Sequence, residues 1–368
     1  MKMEFQEENK EVNQQLKCTG CGAVLEFKPG TKSLTCTYCG AENVIEASDE
    51  VIEEIDYEEF IRTKFEKEEK IEIVTVKCTA CGASITLDPN VTSDHCPYCA
   101  STIVLENGST SSILKPKSLL PFVIDKNRAS ESFRNWLNKL WFAPSDLKIK
   151  AAKEKLDGIY VPYWTYDTKT QTSYTGARGT YYYVTETYTT TENGQTVTKT
   201  RQVRKTSWAP CSGYVRNDFD DILVVASLSL PANYTQRLEP WNLKDLVPYN
   251  DKYLSGFRSE SYQVELTKGL EIAKQRMDPM IRTSVYRDIG GDEQRIYSMN
   301  TSYNDITFKH ILLPVWISSY RYGSKVYRFL INGQTGKVQG ERPYSGLKIF
   351  LAILLAIAVI AAIVLIAN

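Results

Sequence analysis

Two stretches of the chain carry one pattern: residues 17–40 read KCTGCGAVLEFKPGTKSLTCTYCG and residues 77–100 read KCTACGASITLDPNVTSDHCPYCA. Each is Cys-x2-Cys, a gap of fourteen, then Cys-x2-Cys, and the second copy follows the first at an offset of sixty residues. A Cys-x2-Cys turn points two thiolates to one side of a knuckle, and two knuckles complete a tetrahedron around a zinc ion. The spacing names Cys18, Cys21, Cys36 and Cys39 as one ligand set. Cys78, Cys81, Cys96 and Cys99 are the second, which predicts two Zn²⁺ per chain. Gly22, Gly40 and Gly82 follow the second cysteine of three knuckles, where positive φ aims backbone N–H groups at the sulfurs; the fourth knuckle has Ala100. AVLEF and SITL read as short strands, Pro29-Gly30 and Pro89-Asn90 as turns. The expectation is a zinc ribbon at 16–45 and another at 76–106. Four thiolates leave no open ligand position, so these metals fold the ribbons and do no chemistry. His95 reads as a surface residue, and the ninth cysteine, Cys211, as a small buried side chain.

Ile349–Ala367, IFLAILLAIAVIAAIVLIA, has no charged or polar side chain. Nineteen residues at 1.5 Å each make a helix of roughly 28 Å, close to the hydrocarbon thickness of a bilayer. Residues 349–367 are therefore expected to be a transmembrane tail anchor. The acidic, polar start MKMEFQEENK has no apolar core, so no signal peptide is expected. Lys337, Arg342 and Lys348 flank the span on its N-terminal side, which places the bulk of the chain in the cytoplasm, at the cell membrane. There thiols stay reduced, which disfavours the competing reading of the cysteines as a disulfide framework. Iron in place of zinc stays open for a four-thiolate site.

Net charge is zero, with 44 bases and 44 acids, but the charge is sorted along the chain. Residues 41–72 carry thirteen acids and four bases. This acidic linker, 46–75, contains IDYEEFIRTKFEKEEK, where Tyr57, Ile61 and Phe65 at i, i+4 spacing suggest an amphipathic helix; a solvated spacer is the alternative. Residues 113–347 carry thirty-three bases and twenty-three acids, and this excess lies beside the span, where anionic lipid attracts it. Ribbon 1 is balanced and ribbon 2 is slightly acidic, so neither has the basic footprint of phosphate binding.

The region 113–345 is expected to be an α+β domain of mixed antiparallel sheet and helices, after an NGSTSS linker at 107–112. It reads as two similar halves. Leu119-Leu120-Pro121-Phe122 precedes a helix through Phe133, Trp136, Leu137 and Leu140. Leu246-Val247-Pro248-Tyr249 precedes one through Tyr262, Leu266, Leu270, Ala273 and Met277. IYVPYWTYD and ILLPVWISSYRY then match as strands, Pro162 with Pro314 and Trp164 with Trp316. Asn193-Gly194 and Asn332-Gly333 are hairpin turns. No GxxxxGK[ST], GxSxG or HExxH occurs, and the two histidines are isolated, so no enzyme and no catalytic residue is expected. Asp218, Asp220 and Asp221 in NDFDD are a candidate cation site or an acidic turn. Arg178 is a candidate functional base or a solvated strand residue.

With these residues assembled, the chain resembles a group of bacterial tail-anchored proteins with transcription-factor-IIB-type zinc ribbons, often carrying a primosomal or helicase name. The resemblance rests on the two ribbons, on DGIYVPYWTYD (157–167) and TGARGTYYY (175–183), and on LLPVWISSYRYGSKVYRFLINGQTGKVQGERPYS (312–345). It implies a cytoplasmic-membrane protein without established enzymatic activity. Some relatives are linked to membrane-stress systems that recruit phage-shock-protein-A-like coat proteins, together with a second small membrane protein. A helicase motor is not implied, because the phosphate loop it needs is missing. The function expected is a membrane-tethered adaptor whose ribbons recruit cytosolic proteins and whose basic domain rests on anionic lipid. A nucleic-acid-binding regulator is the alternative.

Overall fold

A computed structural model of the chain describes residues 16–46, 48, 50–64, 70–80, 82–86, 93–99, 101–104, 108–147, 156–192, 194–230, 232–323 and 325–367. The fold is α+β with largely antiparallel sheets and one apolar C-terminal helix. In chain order the strands are β1 (Leu25–Phe27), β2 (Ser33–Cys36), β3 (Glu42–Val44), β4 (Ile55–Asp56), β5 (Lys70–Lys77) and β6 (Ser84–Thr86). They continue as β7 (Ser93–His95), β8 (Thr102–Val104), β9 (Gly108–Leu114), β10 (Ser118–Leu119), β11 (Asp157–Glu192) and β12 (Gln195–Val225). The last are β13 (Val247–Pro248), β14 (Arg258–Ser259), β15 (Glu293–Tyr322), β16 (Lys325–Asn332) and β17 (Val338–Gly340). The helices are α1 (Tyr57–Glu59), α2 (Lys126–Asn138), α3 (Ala232–Arg237), α4 (Leu266–Ile289) and α5 (Gly346–Ala367).

The centre is the antiparallel pair β11–β15, with Val161 opposite Leu313. Strand alternation sends Ile159, Val161, Tyr163, Ile311, Leu313 and Val315 to one face. Tyr160, Leu312 and Trp316 go to the other, where α2 and ribbon 1 pack. Trp164, Tyr166 and Phe308 share that second face with α4. Both faces are covered, which explains why IYVPYWTY is apolar but for Thr165 rather than alternating. Gly269 lets α4 approach closely: a Cβ there would run into Tyr166 and Trp164.

The two halves are related by a pseudo-two-fold axis through the Val161–Leu313 pair, and the hydrogen bonds repeat. Trp164 Nε1 donates to Val264 O at 2.8 Å, and Trp316 Nε1 donates to Ile124 O at 2.8 Å. Glu260 N donates to Tyr160 O at 3.0 Å, as Leu120 N does to Leu312 O at 2.9 Å. Ala226 N bonds Pro162 O at 2.9 Å, as Gly333 N bonds Pro314 O at 2.8 Å. β10 runs parallel to β15 as β14 runs parallel to β11. Each half is thus strand, helix, strand, strand. This fixes the register of the repeat: the counterpart of Leu119–Phe122 is Ser259–Tyr262, not Leu246–Tyr249. The LVPY segment misleads because it pairs with the first half, Leu119 opposite Val247, instead of copying it. Tyr262 accordingly precedes α4, as Phe122 precedes α2.

Other expectations are also revised. Residues 108–112, read as linker, lie in β9, which pairs with β5 along its length; small polar residues serve well in a strand whose task is backbone pairing. In the acidic segment, a short helical turn at 57–64 buries Phe60, not Ile61, against Phe308 at 5.0 Å, while Ile55–Asp56 pairs with β15. Phe65 lies outside the described residues. Beyond Gly179, β11 loses β15 and continues with β12 alone as a two-stranded arm. From Thr180 to Glu192 this arm spans roughly 40 Å at 3.3 Å per residue.

Candidate metal centres

Four knuckles are built by the same backbone bond. Cys18 N donates to Ala23 O, Cys36 N to Ala41 O, Cys78 N to Ala83 O and Cys96 N to Ser101 O, at 2.6 to 2.9 Å. Gly22, Gly40 and Gly82 sit at φ of +74°, +73° and +76°, the left-handed region that a side chain resists. The turn thereby aims N–H groups at sulfur: Gly20 N lies 3.4 Å from Cys18 Sγ and Cys39 N lies 3.5 Å from Cys36 Sγ.

In ribbon 1 the Sγ atoms of Cys18, Cys21, Cys36 and Cys39 all lie within 4.8 Å of one another. Cys18 to Cys39 is 3.6 Å and Cys21 to Cys36 is 3.5 Å. Four sulfurs about 2.3 Å from a common centre are separated by about 3.8 Å, whereas a disulfide brings two to about 2.05 Å. The spacing is that of a metal tetrahedron, and the cysteines are free. In ribbon 2 Cys78, Cys96 and Cys99 form the matching cluster, with Cys78 and Cys99 sulfurs 3.7 Å apart. Cys81 and Ala100 lie outside the described residues, as does the His95 side chain. Both clusters fit zinc ribbons and could hold metal ions.

Electrostatics in ribbon 1 are compatible with a cation. The Cys39 N–H bond draws the Cys36 thiol down to about 6, and the Gly20 N–H lowers Cys18. Against the lowering effect of the Ala23 N–H, the neighbouring Cys36 and Cys39 sulfurs push Cys21 up to about 12. Four thiolates this close repel, and a divalent ion removes that repulsion.

The ribbons are mounted on opposite faces of the sheet. Ribbon 1 docks through Phe27, whose ring lies 5.1 Å from Tyr253, and through Gly30 N to Phe122 O at 2.8 Å and Phe27 N to Ser255 O at 3.0 Å. Ribbon 2 docks through Tyr98, fully buried, whose hydroxyl donates to Glu260 Oε2 at 2.8 Å. Glu260 is itself 2% exposed; its Oε1 accepts from Ser227 Oγ at 2.9 Å, Gln263 Nε2 at 2.9 Å and Ser229 Oγ. Burial pushes this carboxyl up to about 7. Sequence reasoning missed Glu260, and the signal was the repeat itself: in correct register a glutamate replaces Leu120.

The acidic NDFDD turn is resolved differently from either expectation. Asp220 gathers with Glu54 and Asp167, but a lysine already lies among the carboxylates. Lys309 Nζ is 2.9 Å from Asp221 Oδ1, 3.1 Å from Glu54 Oε1 and 4.0 Å from Asp167 Oδ2. Burial opposes the Lys309 charge, yet Asp221 and its neighbours hold the pKa above the ordinary lysine value. This is an internal ion-pair cluster with its own cation, and it pins the acidic segment to β15. Arg178 is exposed, as a solvated strand residue would be, and its Nε also donates to Ile289 O at 2.5 Å, satisfying a carbonyl at the end of α4. Cys211 is half-buried opposite Gly176.

The helix α5 is long and apolar enough to cross a membrane: Gly346–Ile366 has a mean hydropathy of 3.5, and its most apolar window is not buried against the chain. The fold and the sulfur clusters thus define a class, an α+β protein with two cysteine-rich ribbons and one apolar C-terminal helix. The chain is similar to the uncharacterized protein YdjG of Bacillus subtilis (strain 168), with 26% identity over 330 residues that cover 89% of this chain and 90% of that protein. No family model matches the chain, and no solved structure matches it.

Proposed function

We propose that the chain is a membrane-anchored adaptor. The two clusters bind structural zinc through Cys18, Cys21, Cys36 and Cys39, and through Cys78, Cys81, Cys96 and Cys99. Helix α5 anchors the chain in the cytoplasmic membrane with the ribbons in the cytoplasm, and ribbon 1 recruits a cytosolic protein. The observation that carries this reading is the exposure of Tyr38, at 85%, and Val44, at 75%, on a ribbon whose metal site is closed to substrates. Exposed aromatic and aliphatic side chains on a rigid knuckle are the material of a protein interface. The resemblance adds phage-shock-protein-A-like coat proteins as the partner class, a second small membrane protein as companion, and membrane stress as the setting.

The test is affinity capture from gently solubilised membranes with Tyr38→Ser and Val44→Ser together. Loss of co-purifying protein with zinc content unchanged is expected; unchanged capture overturns ribbon 1 as the recruiting element. Nucleic-acid binding is the second reading, favoured by Lys199, Arg201, Arg204 and Lys205 among tyrosines on the β11–β12 arm. Glu186 already pairs Lys205 at 3.2 Å and Arg201 at 3.4 Å, which reduces the charge left for phosphate. A DNA affinity that falls steeply with salt would favour this second reading.

A further inference from the structure

Where the chain leaves the sheet for α5, two hollows meet. The first is a cleft of about 500 Å³ lined by Trp136, Tyr234, Arg237, Lys325, Arg342 and Tyr344, among others. Among the described residues its three cations face a single carboxylate, Glu341, whose Oε2 already accepts the Arg328 N–H at 3.3 Å. The second is an apolar groove of about 410 Å³ along the first turns of α5, lined by Phe142, Tyr344, Ile349, Ala352, Ile353 and Ala356. Tyr344 lines both, so the basic cleft and the apolar groove adjoin at its ring. The Arg342 guanidinium lies over the Tyr344 ring at 5.3 Å, joining a charge to the wall between them.

The junction is held in place. Ser345 N donates to Phe142 O at 2.7 Å, and Lys348 Nζ donates to Ala143 O at 2.7 Å, tying the start of α5 to the loop after α2. That loop presents Trp141, 84% exposed, and Phe142 at the level where α5 begins. Exposed aromatics at the start of an apolar span suit the interfacial layer of a bilayer, with one end apolar and the other wet. A headgroup phosphate at this level meets Arg237, Lys325 and Arg342, while an acyl chain continues along Ile349 and Ile353.

The geometry points to a binding site for an anionic glycerophospholipid at the foot of α5, which rests on the reading of α5 as a membrane span. Three cations against one carboxylate select a headgroup with net negative charge, because the ammonium of a zwitterionic lipid would face the same arginines. The site sets the rotation of the sheet domain on the membrane, since lipid contacts from α3, β16 and the approach to α5 allow one orientation.

The test uses the full-length protein, delipidated in mild detergent, with phosphatidylglycerol or phosphatidylcholine added and bound lipid counted by native mass spectrometry. Retention of phosphatidylglycerol over phosphatidylcholine is expected. Arg237→Gln, Lys325→Gln and Arg342→Gln together should lower phosphatidylglycerol retention about tenfold or more. Lys199→Gln, Arg201→Gln and Arg204→Gln on the distant arm, with the same loss of charge, should leave retention unchanged. Equal retention of the two lipids, or equal loss in both triple variants, overturns the site. Displacement of the lipid by millimolar inorganic phosphate would show an anion pocket rather than a lipid site, and also overturns it. Carbonate extraction of native membranes separates the two levels of the reading: extraction of the chain sinks the membrane span itself, whereas an inserted chain without lipid preference sinks the lipid site alone. Zinc content and far-UV circular dichroism of each variant establish that it is folded.

Discussion

Ribbon 1 and ribbon 2 share cysteine spacing and knuckle hydrogen bonds, yet they present one tyrosine in opposite ways. Tyr38 and Tyr98 occupy equivalent positions, immediately before the last cysteine. Tyr38 is 85% exposed, whereas Tyr98 is fully buried with its hydroxyl on Glu260. The difference lies outside the motif, in what each ribbon is set against. Ribbon 1 also shares a core with the sheet, Leu25, Phe27, Leu34 and Ile45 clustering with Phe122, Tyr160 and Trp316, but it leaves the Tyr38 ring of its second knuckle outside. Ribbon 2 places Val76, Cys78, Ala83, Cys96 and Tyr98 in one core with Ile159, Val161 and Leu313. The same duplicated module leaves one tyrosine to solvent and locks the other into the core.

The largest effect expected from this contrast is on folding. Cys18→Ser with Cys36→Ser should remove one of the two proposed zinc ions, unfold ribbon 1 and cost the sheet domain the apolar contacts it shares with Leu25, Phe27 and Ile45. Cys78→Ser with Cys96→Ser should remove the other proposed ion and destabilise the sheet domain more, because the buried Tyr98 and its bond to Glu260 are lost with ribbon 2. Metal analysis and urea denaturation check both; equal loss of sheet stability in the two variants would break the comparison. On the proposed zinc reading chelation should act on both ribbons, since metal binding supplies folding free energy to modules of this kind.

A smaller effect separates the two tyrosines. Tyr98→Phe deletes a donor to a buried carboxyl and should cost about 1–3 kcal/mol. Tyr38→Phe should stay within about 0.5 kcal/mol, as an exposed substitution. Denaturant midpoints at fixed slope measure the pair.

The smallest effect concerns pH. Glu260 has a folded pKa raised to about 7 from 4.5. The native state therefore keeps a proton that the unfolded state releases, and stability falls as pH rises through that interval. His310 is buried between Trp164 and Tyr262, and burial lowers it from 6.5 to about 3. Its contribution has the opposite sign, present above pH 6.5 and lost as pH falls. Glu260→Gln should flatten the neutral limb and leave the acid limb in place. An unchanged neutral limb would mean that the attachment of ribbon 2 is not proton-linked.

Some of this was legible in the residues. The strand pair was visible in IYVPYWTYD and ILLPVWISSYRY, because long apolar runs with Pro and Trp mark strands covered on both faces. The two-fold relation was visible too, but its register was not. LVPY at 246–249 looks like LLPF at 119–122, while the true counterpart, SESY at 259–262, has lost its apolar character to Glu260. Composition misjudged 108–112 for a similar reason: Gly and Ser mark a linker unless a neighbouring strand edge needs a partner. Lys309 could not be recognised as the cation of NDFDD, because the two are brought together by pairing across more than eighty residues of chain.

By itself the sequence determined the cysteine spacing, the apolar C-terminal helix and the long apolar runs that build the central sheet, because these follow from short-range pattern and from ligand geometry. Only the tertiary structure decided which of the two ribbon tyrosines is exposed, where Glu260 is buried, and how the basic cleft meets the apolar groove at Tyr344. Those outcomes depend on packing between segments far apart in the chain, and local pattern carries no record of what a side chain will meet.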